Sequence, residues 1–329
     1  MNHHHAVYCG NIRESLGLVY LIVLLMFMSN DSLGDTSSRV EAQKHQAIAV
    51  LYPQVREPYN QIFQNITAGI DLQFQGSTRH YTLPLKLRVE DLQQWLDVNN
   101  IGAVVALGSR SLKILPSLPP HLPRVLGAVL LDHGDEHLSG VSLSPSPHQL
   151  FQRLRQLRPS IHTVHVVNPA YQGPWLMEKA HQAAADQGLT LNQLNALGMS
   201  HAARHYRQLL NNIEPSTEAI WLPQVGKKLD SALLNLLLEA AWADKLVVFS
   251  SNFADVKRGV LFSLYPDNRA MGIRLARMLQ QLQKKPRPPL GMAPVENLLI
   301  AVNLRTADHL GLHFSPSELR DFHFVYPPL

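Results

Sequence analysis

Short apolar runs that stop at proline, glycine or serine, separated by stretches with helical spacing, recur along most of this chain, and that alternation constrains its fold more than any other feature. Residues 47–52 (AIAVLY) carry no charge and stop at Pro53; residues 101–107 (IGAVVAL) stop at Gly108 and Ser109. An unbroken apolar run of this length is how a strand covered on both faces of a parallel sheet reads. The same reasoning predicts strands at 83–87, 125–131, 163–167, 189–194, 219–222, 246–249, 260–264 and 298–303. Helical periodicity predicts helices at 57–74, where Ile62, Ile66 and Ile70 recur every four residues, and at 89–98, 148–157, 175–187, 201–213, 230–243 and 268–283. Repeated β-α alternation means parallel sheets with helices on both faces. A chain of 329 residues has room for about two such units. The Ser144-Pro145-Ser146-Pro147 stretch is the natural boundary, and 284–289 (KKPRPP) is a break that no helix crosses.

Charge and motifs narrow the function. The net charge is only +4, and no helix or face reads as a Lys/Arg stripe, which excludes a nucleic-acid binder. GxGxxG, GxxxxGK[ST] and GxSxG are all missing, so dinucleotide, P-loop and α/β-hydrolase chemistry find no support, and neither a catalytic residue nor a cofactor is expected. His201 and His205 share a helix face at i and i+4, but Ala202 stands where a zinc protease needs its glutamate, so a solvated face is expected. Asp132, His133, Gly134, Asp135, Glu136 and His137 crowd potential metal ligands into one loop; a polar surface loop is the default reading and a metal site the alternative.

The N-terminus reads as an address. Residues 16–28 (LGLVYLIVLLMFM) carry no charge. A helix of that length spans about 20 Å, short of the roughly 30 Å hydrocarbon core, which fits a secretory signal better than a membrane span. Residues 1–34 are therefore predicted to be a signal peptide, or else a retained N-terminal anchor. Their removal takes away Arg13, Glu14 and Asp31, moving the charge to +4 − (1 − 2) = +5, and also Cys9, the single cysteine. A cysteine-free body suits an oxidising compartment.

In open parallel sheets ligands bind beyond the carboxyl ends of the strands. The polar residues there are Ser109, Arg110 and Ser111 after one strand, Asn168 and Tyr171 after another, then Gln224, and then Ser250 and Asn252. Arg110 is the candidate to grip a carboxylate with its planar fork, and Tyr171 to stack on an apolar or aromatic ligand body.

Three stretches carry a resemblance. Gly140-Val141-Ser142 is followed by Pro145-Ser146-Pro147, a helix at 148–157, Arg158-Pro159 and a strand ending in Asn168-Pro169. The run from Arg258 through Gly259 to Pro266 and Asp267 leads to Gly272 and a helix, and Asn303-Leu304-Arg305-Thr306-Ala307 precedes Gly311 and Pro316. Between about 140 and 316 the chain resembles the ABC transporter substrate-binding proteins of the tryptophan/tyrosine-binding type. Before that the likeness is weak: Gly108-Ser109-Arg110-Ser111 stands where the family has a Gly-Thr-Pro-Ala turn. The resemblance implies a type I periplasmic-binding fold, in which two Rossmann-like lobes with parallel sheets close about a hinge. It implies lobes discontinuous in sequence, with 45–143 plus 254–290 in lobe 1 and 144–253 plus 291–329 in lobe 2. It also implies a periplasmic, monomeric solute-binding protein, not an enzyme. Such a protein captures a small amino-acid-like or aromatic molecule and passes it to an inner-membrane ABC permease. A ligand sensor at the membrane, or a metal-binding protein built on the 132–137 loop, are the alternative readings.

Overall fold

A computed structural model of the protein describes residues 47–57, 59–131, 137–169, 173–224, 229–284 and 288–328. The expectations for residues 1–34, for Tyr171 and for positions 132–136 of the acidic-histidine loop lie outside the described residues. The chain begins with β1 (Ala47–Pro53), α1 (Tyr59–Gln73), β2 (Thr78–Leu83), α2 (Val89–Val98), β3 (Ile101–Leu107), α3 (Gly108–Ile114), β4 (Arg124–Val129) and β5 (Ser139–Pro145). It continues through α4 (Pro147–Leu157), β6 (Thr163–Pro169), α5 (Trp175–Asp186), β7 (Thr190–Ala196), α6 (Met199–Leu210), β8 (Glu218–Leu222), α7 (Ser231–Ala243) and β9 (Val247–Ser250). A 3-10 turn (Phe253–Arg258) leads to β10 (Phe262–Pro266), α8 (Asn268–Lys284), β11 (Gly291–Val295), β12 (Leu298–Asn303), α9 (Leu304–His309), α10 (Pro316–Asp321) and β13 (Phe324–Tyr326).

The strands form two sheets. The six-stranded sheet has the order β11-β5-β4-β3-β1-β2 and is parallel at every pairing. The seven-stranded sheet has the order β13-β12-β10-β9-β8-β6-β7, and only β12 runs antiparallel to its neighbour β10. Helices pack on both faces of each sheet. In β1, Ile48 and Val50 pack under α1 and α8, while Ala49 and Leu51 pack on the other side with Leu92 and Leu96 of α2. That double covering is why β1 reads as an unbroken apolar run.

Lobe 1 is closed by a helix from a distant part of the chain. α1 and α8 touch through glycines: a Cβ on Gly69 would lie 2.0 Å from the Arg269 carbonyl oxygen, and one on Gly272 2.0 Å from that of Ile66. Only hydrogen at those positions lets the two backbones approach so closely.

The chain crosses between the lobes at three places, and each crossing involves the same edge. β5 ends at Pro145 and enters α4; β10 ends at Pro266 and enters α8; β11 ends at Val295 and enters β12. Ser146 N donates to Val295 O at 3.0 Å and Asp267 N to Asn297 O at 2.9 Å, tying the crossings together. The carboxyl ends of the parallel strands of both sheets therefore meet at the hinge.

Several expectations need correcting. The strand expected at 83–87 lies earlier, at β2; as an edge strand it buries fully only Leu83, so its apolar signal is thin. β5, β11, β13, α3, α9 and α10 were not read as elements: β11 contains Gly291 and Pro294, and β13 is three residues long. The lobe boundaries also shift. β10, expected with 254–290 in lobe 1, pairs within the seven-stranded sheet, and β11, expected in lobe 2, pairs with β5 in the six-stranded sheet. Sheet membership is fixed by long-range pairing, which local pattern does not carry.

Candidate functional site

Each sheet contains a point where the chain reverses its direction of winding. β1 leads to β2 on one side while β3 lies on the other, and β6 likewise lies between β7 and β8. Connections leave such a point in opposite directions, so the carboxyl ends there stay uncovered and form a crevice. In lobe 1 this edge carries Pro53 and Gly108-Ser109-Arg110; in lobe 2 it carries Asn168-Pro169 and Pro223-Gln224.

On lobe 1, Gly108 starts α3 at φ 83°, a left-handed conformation that favours glycine. A side chain there would also press on the Phe63 ring, 3.2 Å away. Ser109 is exposed at the rim. Arg110 is half-buried, and its Nη2 donates to the carbonyl of Leu85, in the loop after β2. Ser111 turns inward: its hydroxyl contacts Leu107 O at 2.6 Å and Leu51 O at 3.2 Å, joining the ends of β3 and β1. The contact to Leu107 is the i−4 back-bond typical of serine in a first helical turn.

On lobe 2 the strand-end polar groups are bonded largely to one another. Ser250 Oγ donates to Asp255 Oδ2 at 2.8 Å and accepts from Asn252 N at 2.9 Å. Asn252 caps the 3-10 turn, its Oδ1 accepting from Ala254 N at 3.2 Å and its Nδ2 donating to Asp255 Oδ1 at 3.4 Å. Trp221 Nε1 donates to Ser251 Oγ at 2.9 Å within the core. Gln224 is half-buried at the end of β8.

Asn168 differs from all of these. It is 3% exposed, and its buried Oδ1 has no hydrogen-bond partner among the described residues. A buried amide oxygen without a donor costs about 1–3 kcal/mol, so an orphan at the carboxyl end of a switch-point strand is a candidate acceptor for an incoming donor.

Asp255 and Trp221 are not among the residues that the strand-end pattern picks out. Asp255 had a legible signal: it stands three residues after Asn252, the spacing of an N-cap and its reciprocal acid. Its charge reaches further into lobe 2. The Tyr206 phenol is held well above its ordinary pKa, first by burial and then by the Asp255 carboxylate.

The histidine pair is engaged in its own turn. The His201 and His205 rings stack with centroids 4.3 Å apart. His201 Nδ1 accepts from Leu197 N and His205 Nε2 bonds Asn195 O, so both rings serve the turn between β7 and α6. Among the described residues, no three His, Cys, Asp or Glu side chains gather as a metal site. Among them, too, no helix is long and apolar enough to cross a membrane.

No family model and no curated protein sequence matches the chain. Solved structures do. An ABC domain from Streptococcus pneumonia in complex with L-Trp matches at a TM-score of 0.50 and 19% identity, over 85% of this chain and 99% of that one. The ligand-free, open structure of a substrate binding protein with adhesive properties from Clostridium difficile matches at a TM-score of 0.59 and 12% identity, with the same coverage of 85% and 99%. A LacI family transcriptional regulator from Bifidobacterium animalis subsp. lactis matches at 0.43 and 14% identity, over 79% and 96%. At these identities the likeness bears on the fold alone. With the sheet orders and the three crossings above, the fold is a type I periplasmic-binding fold: α/β, in two lobes joined by a hinge.

Proposed function

We propose that this chain is an exported solute-binding protein of the tryptophan/tyrosine-binding type. It holds a small amino-acid-like or aromatic molecule between its lobes as a periplasmic monomer and delivers it to an ABC permease. It makes and breaks no covalent bond. The observation that carries the reading is the Asn168 Oδ1, buried at the switch point of lobe 2 without a donor among the described residues. A ligand N–H or ammonium group supplies that donor. Arg110, which bonds the Leu85 carbonyl, exchanges that partner for a ligand carboxylate. Ser109, Gln224 and Asn252 line the remaining edge. Closure is a population shift toward the lobe arrangement in which both edges touch the ligand. The family resemblance between 140 and 316, a neighbour solved with L-Trp and a neighbour described as a substrate binding protein support the same reading.

Mass spectrometry of the small molecule that co-purifies with the folded protein tests it, paired with small-angle scattering as that molecule is returned to stripped protein. The expected result is an amino-acid-like or aromatic compound whose addition shrinks the radius of gyration. If nothing co-purifies, and no member of an amino-acid and aromatic-acid panel shrinks the particle, the reading fails.

A further inference from the structure

The face of the seven-stranded sheet under α4 is incompletely covered. A groove of about 170 Å3 opens between α4 and the segment that follows α10. Its floor is apolar, made by Leu264 of β10 with Leu298 and Ile300 of β12. One wall is a row on α4 that includes Arg153, flanked by glutamines; the other is Asp321 and His323. The groove is smaller than a drug-sized pocket of roughly 300 Å3 or more, so its guest is a small molecule.

Two of the polar groups around this floor, Arg153 and His323, offer donors. The Arg153 guanidinium has no hydrogen-bond or ion-pair partner among the described residues, although it is only partly exposed. Its fork suits a carboxylate. Ile300 N donates to His323 Nδ1 at 3.3 Å, which leaves the Nε2–H of the neutral ring as a second donor. Asp321 is not paired with Arg153 across the groove, and its carboxylate repels any second negative charge on a guest. One anionic head and an apolar body satisfy all of these features together.

We infer that this groove is a second binding site, distinct from the interlobe cleft, for a small monocarboxylate with a compact apolar tail. The carboxylate lies on Arg153 and His323, and the tail covers Leu264, Leu298 and Ile300. α4 follows the first crossing, Leu264 lies two residues before Pro266 and Leu298 opens the strand after the third crossing, so the guest sits beside the segments that join the lobes.

The probe is 4-methylpentanoate, titrated into the isotopically labelled full chain and followed by amide chemical shifts. Saturable shifts are expected at Leu264, Leu298 and Ile300. Arg153→Met should weaken binding about tenfold, as expected for losing a charge-assisted hydrogen bond. Asp321→Asn should tighten it at least about twofold by removing the repulsion. Asn168→Ala, a change in the interlobe cleft, should leave it unchanged, which separates this site from the cleft reading. No saturable shift, equal affinity in Arg153→Met, or shifts confined to Ser250 and Asn252 would overturn the proposal. Should Arg153→Met fail to fold, Asp321→Asn decides alone: unchanged or weaker binding sinks it.

Discussion

The two lobes bring the same β-α unit to the cleft and finish it differently. In lobe 2, Ser250, Asn252 and Asp255 bond one another and Trp221 anchors Ser251, so the wall is set before any ligand arrives. Among the described residues, a single buried acceptor there, Asn168 Oδ1, is left open. In lobe 1, Ser111 is spent on the strand ends, while the polar group with the longest reach, Arg110, is bound to a loop carbonyl. Lobe 2 is preorganised; on the proposed function, lobe 1 exchanges one partner for another. On the function proposed above, a ligand meets little ordering cost on the first wall and more on the second, where its carboxylate has to be a better acceptor than the Leu85 carbonyl.

That contrast breaks most visibly where lobe 1 is assembled. Gly272→Ala puts a methyl group against the Ile66 carbonyl and should cost about 3 kcal/mol, as overpacking of a tight backbone contact does. Calorimetry should show a melting transition moved down for lobe 1 and one left in place for lobe 2; a single shifted transition would mean that the lobes do not melt as separate units. Arg110→Ala should weaken ligand binding by about 1.5–3 kcal/mol, the usual worth of a hydrogen bond to a charged group, and Arg110→Lys should restore only part of it. Unchanged affinity in titration calorimetry would remove lobe 1 from the grip.

Lobe 2 makes a prediction about alkali. Tyr206 has a folded pKa raised above its unfolded value of about 10, so folding holds its proton. The stability this contributes is complete below pH ~10 and is lost as pH rises toward the folded pKa, at up to about 1.4 kcal/mol per pH unit. Tyr206→Phe should flatten that decline in urea melts between pH 10 and 11; an identical slope would show that the burial has no such consequence. The smallest expected effect is that of Ser111→Ala, about 1 kcal/mol of stability from the lost contacts to Leu51 and Leu107, with ligand affinity unchanged. A fall in affinity instead would make Ser111 the ligand contact that its position after β3 suggested.

The strands most legible in the sequence are those buried on both faces. β1, β3, β6, β8, β9 and β12 announce themselves as apolar runs because helices cover each side. Edge strands do not. β2 presents Arg79 and His80 outward, and β11 carries a proline that only an edge tolerates. β10 was legible as a strand but not as a member of its sheet, since its partners β9 and β12 lie on opposite sides of it in sequence. The site was legible as a set of strand ends. Which hydroxyl turns inward was not, because the direction of Ser111 follows from α3 beginning at Gly108, and a seven-residue helix leaves too little periodicity to read. That Asn168 Oδ1 has no partner among the described residues has no sequence signature at all.

Asn168 also offers the most direct test of the central claim, that the interlobe edge is a binding site held open by an unmet hydrogen bond. The measurement is titration calorimetry of Asn168→Ala with the co-purified compound, beside the thermal midpoint of the stripped protein. Affinity should fall at least about tenfold, while the midpoint holds or rises, because removing an acceptor that has no donor costs the empty fold nothing. Full affinity in the variant would put the ligand elsewhere, and a midpoint that drops along with affinity would make Asn168 a residue of the fold; either result contradicts the account.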